Sequence, residues 1–262
     1  MSSYEFLLRG KEGHHAIDKE ANAHALEMFD KAIEADPANA QAYAWKACTM
    51  GQALGRGWIE KSLEEVMPEF NRLMDRALKA DPNDFELHRL LCGISTMTGK
   101  FKAAVEHGKK AYDMVPNDPR ILQQYGEILL KTGKTKQGCD LTLLALEYDP
   151  VAQGQTNSDK RKSDAVFGCL MDDRTELGLE LAEEIEARSE NILLFTAALS
   201  VAKHGSLEPY PWLIKDLKTC NFEGLEAAIE EMGKYDVVVQ STLREVFLDH
   251  VAKLQPKLQL VS

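Results

Sequence analysis

The side chains best suited to chemistry in this 262-residue sequence are its histidines and cysteines. His14, His15 and His24, with Glu20 nearby, form the one histidine-rich stretch. Glu20 and His24 stand one helical turn apart, a spacing that could bring two ligands to a metal ion. Most clusters of this kind are solvated polar residues, so neither a metal nor another cofactor is expected. Cys48, Cys92, Cys139, Cys169 and Cys220 are far apart and form no C-x-x-C pair. They read as reduced, mostly packed thiols, since a reactive cysteine needs an electropositive setting. The sequence has no H-E-x-x-H, Walker loop or G-x-S-x-G. Its acidic residues are too numerous for any pair to stand out as an acid–base couple. No enzyme is expected.

Charge narrows the partners. Lys and Arg total 31 against 42 Asp and Glu, a formal net charge of −11. That balance speaks against gripping phosphate backbones, so nucleic acid is not an expected partner. The longest apolar stretch, Ile192 to Ala202, is interrupted by Thr196 and Ser200. It falls well short of the roughly 20 residues that span a bilayer. The opening MSSYEFLLRGKEG lacks the apolar run of a secretory leader. A cytoplasmic protein that does not enter membranes is expected.

The elements that would position any site are legible from proline. Pro82, Pro116 and Pro150 follow one another at steps of 34 residues, and Pro37 precedes Pro82 by 45. Twelve, eight and five residues before each proline stand Ala25, Phe29 and Ala32; Phe70, Met74 and Ala77; Ala104, Gly108 and Ala111; Gly138, Thr142 and Ala145. Positions four and then three apart share one helix face, and small residues there let another helix approach. Proline then ends the helix. Upstream, Leu122, Tyr125, Gly126 and Leu129 form a second helix face, matched more loosely by His88, Leu91, Cys92 and Ser95. Gly99 and Gly133, also 34 apart, are expected in the turns between paired helices.

On these residues the chain resembles the tetratricopeptide repeat (TPR) family. The best copies are Phe85 to Asp118 and Pro119 to Ala152; a lengthened copy spans Ala40 to Asp84, and an irregular one Tyr4 to Asn39. In the lengthened copy Lys46 takes a position that is usually large and apolar. The phrases YEFLLRGKEGHH, ALEMFDKAIEADPANAQAYAWKAC and ADPNDFELHRLLCGI resemble TPR regions of bacterial signalling proteins. Those regions accompany class III cyclases or winged-helix regulators. The resemblance implies an all-α, right-handed superhelical solenoid of helical hairpins over residues 1–152.

It also implies a concave groove lined by the first helix of each hairpin. By position, Gln41, Trp45, Arg89, Arg120, Gln123, Gln124 and Glu127 would face it. Arg and Gln could hold a peptide's backbone or carboxylate, with Trp45 as a flat apolar anchor. Packing of Trp45 against the lengthened hairpin is the competing reading. Ala44, Cys48 and Gly93 stand at groove positions where carboxylate-clamp TPR domains use Lys, Arg and Asn, so a chaperone tail is not the expected ligand.

Residues 153–163 read as a polar connection, with Lys160-Arg161-Lys162 in a solvated loop. Residues 164–262 read as a helical extension, either decayed repeats or a cap. Leu177, Leu181, Ala182 and Ile185 make one apolar stripe, and Ile192 to Lys203 its buried partner. Further helices are expected to start at Pro209-Tyr210-Pro211-Trp212 and to run over Phe222 to Met232. The last, Val237 to Leu254, would present Val239, Leu243, Val246, Phe247, Val251 and Leu254. An array needs its apolar end covered, so capping is the expected role of this stripe, with homodimerisation as its rival. The expected function is a non-catalytic scaffold or regulatory module that binds a partner peptide or helix. The alternatives are a regulatory appendage of a cyclase or transcriptional regulator, and an unrecognised helical enzyme or metal protein.

Overall fold

A computed structural model describes residues 1–151 and 159–254. Within them the chain is all-α, with fourteen α-helices and no strand. The described residues divide into two compact units, Met1–Tyr125 and Gly126–Val151 with 159–254. The division falls inside one helix.

The first unit is a series of hairpins: α1 (Ser3–His15) with α2 (Lys19–Ala35), α3 (Ala40–Gly55) with α4 (Leu63–Ala80), and α5 (Phe85–Met97) with α6 (Phe101–Met114). It ends in the first half of α7 (Pro119–Lys131). Each hairpin rests on the next through α2 against α3 and α4 against α5, while α3 also meets α1 and α5. The residues before the prolines lie inside as expected. Ala25, Phe29, Ala32, Ala77, Ala104 and Ala111 are wholly covered. Gly108 shows why smallness is required: a Cβ there would sit 2.7 Å from the Tyr125 ring. Burying Phe29 alone contributes about 1.5–3 kcal/mol.

Helix ends repeat as closely as helix faces. Asp36, Asp81 and Asp149 end α2, α4 and α8 (Thr135–Tyr148) with φ between −147° and −150°. Val115 ends α6 at φ −138°. Each precedes a proline, whose ring excludes the helical conformation at that position. Between paired helices the chain turns through one left-handed residue: Gly57 at φ 64°, Gly99 at 69° and Gly133 at 80°. The amide after it reaches back five residues, as Lys100 N donates to Ser95 O at 2.8 Å and Lys134 N to Leu129 O at 2.9 Å. The extra length of the second copy goes into both α3 and α4 and the connection between them. Lys46, at the usually apolar position, is half-buried and ion-paired with Asp30.

The second unit takes in the end of α7, α8, α9 (Lys160–Met171), α10 (Thr175–Glu183), α11 (Glu190–His204), α12 (Pro211–Leu217), α13 (Phe222–Met232) and α14 (Val237–Val246). A π-helical turn over Phe247–Val251 and a 3-10 turn over Ala252–Leu254 follow. The α9–α10 turn has the geometry of the earlier ones, with Asp173 at φ 54° and Arg174 N donating to Cys169 O at 2.9 Å. It is a further hairpin of the same design, carrying Asp where α3–α4, α5–α6 and α7–α8 carry Gly and α1–α2 carries Ile17 at φ 54°.

The expected loop around Lys160-Arg161-Lys162 is instead the first turn of α9. Its charges are taken up: Arg161, 1% exposed, meets Asp149 at 2.7 Å, Lys160 pairs with Asp164, and Lys162 with Glu184. The remainder of that expected connection, 153–158, and the last eight residues, 255–262, lie outside the described residues. At the C-terminal end Leu243, Val246, Phe247 and Val251 are buried, with α14 packed on α11 and α13. The π-helical turn adds a residue to that stripe's period, which the expected single helix did not contain.

Candidate functional site

In the first unit, side chains from α1 and α5 meet over one indole on α3. Trp45 is only 2% exposed. His14 and His15, in successive positions at the end of α1, pack against its ring at centroid distances of 5.2 and 5.4 Å. The Lys11 ammonium stands 4.9 Å and the Arg89 guanidinium 5.7 Å from the ring centre. Trp45 is therefore a covered floor, packed against α1 and Arg89 and not presented as a flat anchor.

Beside it lies a buried ion pair. Arg89 donates to both carboxylate oxygens of Glu86, at 3.1 and 2.9 Å, and the two side chains are 9% and 3% exposed. Arg120 adds a 3.2 Å bond to Glu86 and grips Asp118 at 2.6 Å, with nearly half its side chain in solvent. Gln41 donates to Asp84 at 2.9 Å. Burial pushes the Glu86 carboxyl upward, but the hydrogen bonds and charge of Arg89, with Arg120 and Lys11, outweigh it and hold it below the usual range.

The other groups respond to the same burial. It carries His14 down to about 4, helped by His15 and Arg89. His15 is lowered by burial and by the charges of Lys11, Arg89 and Arg120. Both rings are neutral at pH 7. Lys11 is also lowered by burial, which the Glu86 charge only partly offsets. Among the described residues no carboxylate lies within 4.0 Å of its ammonium. The Cys48 thiol is pushed up to about 11 by burial.

Of the seven residues expected at a groove, Trp45, Arg89 and Arg120 are linked through the Arg89–Glu86 pair, while Gln41 pairs with Asp84. Gln123 is buried, and Gln124 lies over Gly93, its Nε2 3.1 Å from where a Cβ would be. Glu127 belongs to the second unit, where it accepts from Lys131 at 2.7 Å. Lys11 and Glu86 were not anticipated, and His14 and His15 were singled out only as possible metal ligands. The first copy is irregular, so its groove positions could not be counted, but Glu86 was open to discovery: it precedes Arg89 by three and Arg120 by 34 residues.

The arrangement offers cationic and neutral donors at its rim (Lys11, His15, Arg120) above a fixed floor. No activated nucleophile or acid–base couple is formed there. Among the described residues no group of three His, Cys, Asp or Glu side chains is placed to hold a metal ion. His24 stands apart, exposed and 4.0 Å from Glu27. No described helix is long and apolar enough to cross a membrane.

Helical hairpins turning on a left-handed residue, stacked through small side chains and stopped by proline, define the TPR fold. Solved structures share it at low sequence identity. The pilF protein of Pseudomonas aeruginosa is 12% identical with a TM-score of 0.59, over 94% of this chain and 99% of its own. A thermophilic TPR protein of Thermus thermophilus is 14% identical with a TM-score of 0.51, over 77% and 99%. A chain of the APC/C hetero-tetramer Cut9–Hcn1 is 11% identical with a TM-score of 0.57, over 93% of this chain and 46% of that one. No family model and no curated protein matches the sequence.

Proposed function

We propose that this chain is a non-catalytic scaffold whose first unit docks a partner peptide or helix across α1, α3, α5 and α7. Lys11, His15 and Arg120 receive a carboxylate or carbonyl of the partner above the Trp45–Arg89–Glu86 floor. One observation carries this reading: Lys11 is held over an indole, partly desolvated, with no carboxylate of the described residues within 4.0 Å. A lysine so placed is poised for an oxygen from outside. The fold supports the general role, since stacked hairpins present a preorganised surface that loses little freedom on binding. It also appears in Cut9–Hcn1, an assembly of two kinds of chain.

Self-association has weaker support, because the terminal apolar stripe is already buried inside its own chain. A regulatory appendage of a cyclase or transcriptional regulator is supported only by the phrases of the first hundred residues. A cytoplasmic location accords with five free thiols, and the acid excess argues against nucleic acid.

The test is selection of displayed random 12-residue peptides on the full chain. Enrichment of acidic sequences, lost in Lys11→Glu and Arg120→Glu but kept in Lys203→Glu, supports the reading. Equal capture by all four proteins, or no enrichment, removes it.

A further inference from the structure

The five cysteines look solitary in the sequence, yet two of them meet. Cys139 on α8 and Cys169 on α9 are both wholly covered and belong to the same core of the second unit. The helices come unusually close here: a Cβ on Gly168 would lie 3.2 Å from Cys139 Cα and 3.4 Å from its Sγ. The absence of that Cβ lets α9 settle onto α8, and Cys169 follows directly. Each thiol bears on the other, to the advantage of a thiolate at Cys169.

The partners are unequal. The Cys139 thiol is raised first by Cys169 and then by burial. Cys169 is lowered by Cys139 against the upward push of burial, and the charge of Arg174 favours its thiolate further. Arg174 is itself fixed by Asp140 and Asp172. Among the described cysteines, Cys220 instead donates to the Leu217 carbonyl at 3.3 Å.

We propose that Cys139 and Cys169 are a redox couple that closes to a disulfide on meeting hydrogen peroxide, fastening α8 to α9. The Cys169 thiolate attacks one peroxide oxygen. The O–O bond breaks, and the departing hydroxide takes up a proton to leave as water, with Cys169 now a sulfenic acid. Cys139 then attacks the Cys169 sulfur; the S–O bond breaks and the S–S bond forms. The Cys139 proton goes to the departing hydroxide, giving a second water. Two thiols and one peroxide become one disulfide and two waters, and a small dithiol reverses the change. Because both sulfurs are covered, oxidation proceeds through local opening of the helix pair and is slower than that of an exposed thiol.

The experiment is peptide mapping of the full chain after peroxide, with alkylation under denaturing conditions. The expected result is loss of two of the five alkylatable thiols and a linked peptide pair containing Cys139 and Cys169, both reversed by dithiothreitol. The oxidised protein should melt several degrees higher than the reduced one. Cys139→Ser should abolish the link and leave a sulfenic acid at Cys169 that dimedone traps. Five alkylatable thiols after treatment, or links joining other cysteines, would overturn the proposal. The wild-type map decides this even where a variant fails to fold.

Discussion

Arg120 donates to Glu86 at 3.2 Å across 34 residues, the same step that separates the prolines. The bond joins equivalent helices of neighbouring hairpins, so the repeat length is written into an ion pair as well as into the core. Glu86 is also held by Arg89, and all the burial is on that side: Arg89 is 9% exposed at its side chain and Arg120 45%.

Glu86→Gln should therefore be far more damaging than Arg120→Ala. The first leaves the Arg89 guanidinium buried without its carboxylate and is expected to lower stability by about 3–5 kcal/mol. The second removes a half-exposed partner that Asp118 also holds, and should cost under about 1 kcal/mol. Urea unfolding of both variants checks the ratio; similar losses would mean that Arg120 supports Glu86 as strongly as Arg89 does.

Two histidines set an acid limit. Burial carries His14 and His107 down to about 4, with like-charge neighbours adding to it. His88 Nε2 donates to Pro82 O at 2.9 Å, so its Nδ1 is left to accept from His107 Nδ1, also at 2.9 Å. A histidine lowered in the folded state binds its proton first in the unfolded chain. Stability should hold above pH 6.5 and fall as pH drops from there toward 4, by at most about 3 kcal/mol per histidine. Denaturant midpoints across that window, compared with those of His107→Gln, test the sign: the variant should lose part of the slope.

The turns offer a cleaner comparison. A Cβ at Gly133 or at Gly55 would meet nothing within 4 Å, but only Gly133 has a left-handed φ, 80°. Gly133→Ala should destabilise by about 1 kcal/mol through backbone strain alone. Gly55→Ala, at the end of α3, should be neutral or gain up to about 1 kcal/mol. Thermal melting of the pair separates conformation from packing.

The same turns explain what could be read in advance. Proline, alanine and glycine report helix stops, close faces and left-handed residues directly, so four hairpins were legible from three residue types. The α9–α10 hairpin escaped because Asp173 stands at the left-handed position and follows Gly133 by 40 residues instead of 34. The site was half legible for a related reason. Repeat position predicts which way a side chain sets out, as for Gln41, Arg89 and Arg120. It does not predict what covers it: Trp45, expected at a groove, lies under Lys11, His14 and His15. Contacts between helices, such as Cys139 with Cys169, leave no trace in spacing at all.

Lys11 supplies the prediction that separates stability from function. A lysine lowered by burial, over an indole and without a described carboxylate within 4.0 Å, is held at some expense to the folded state. Methionine keeps the contact with Trp45 and removes the charge. Lys11→Met should raise stability by about 0.5–1 kcal/mol, as happens where a site trades stability for binding. Its capture of acidic peptides should fall about tenfold, the loss of one charge-assisted bond. If Lys11 were only a solvated side chain, neither quantity would move; if it were a packing residue, stability would fall. A gain in melting temperature together with weaker peptide binding is the outcome that only a docking role produces.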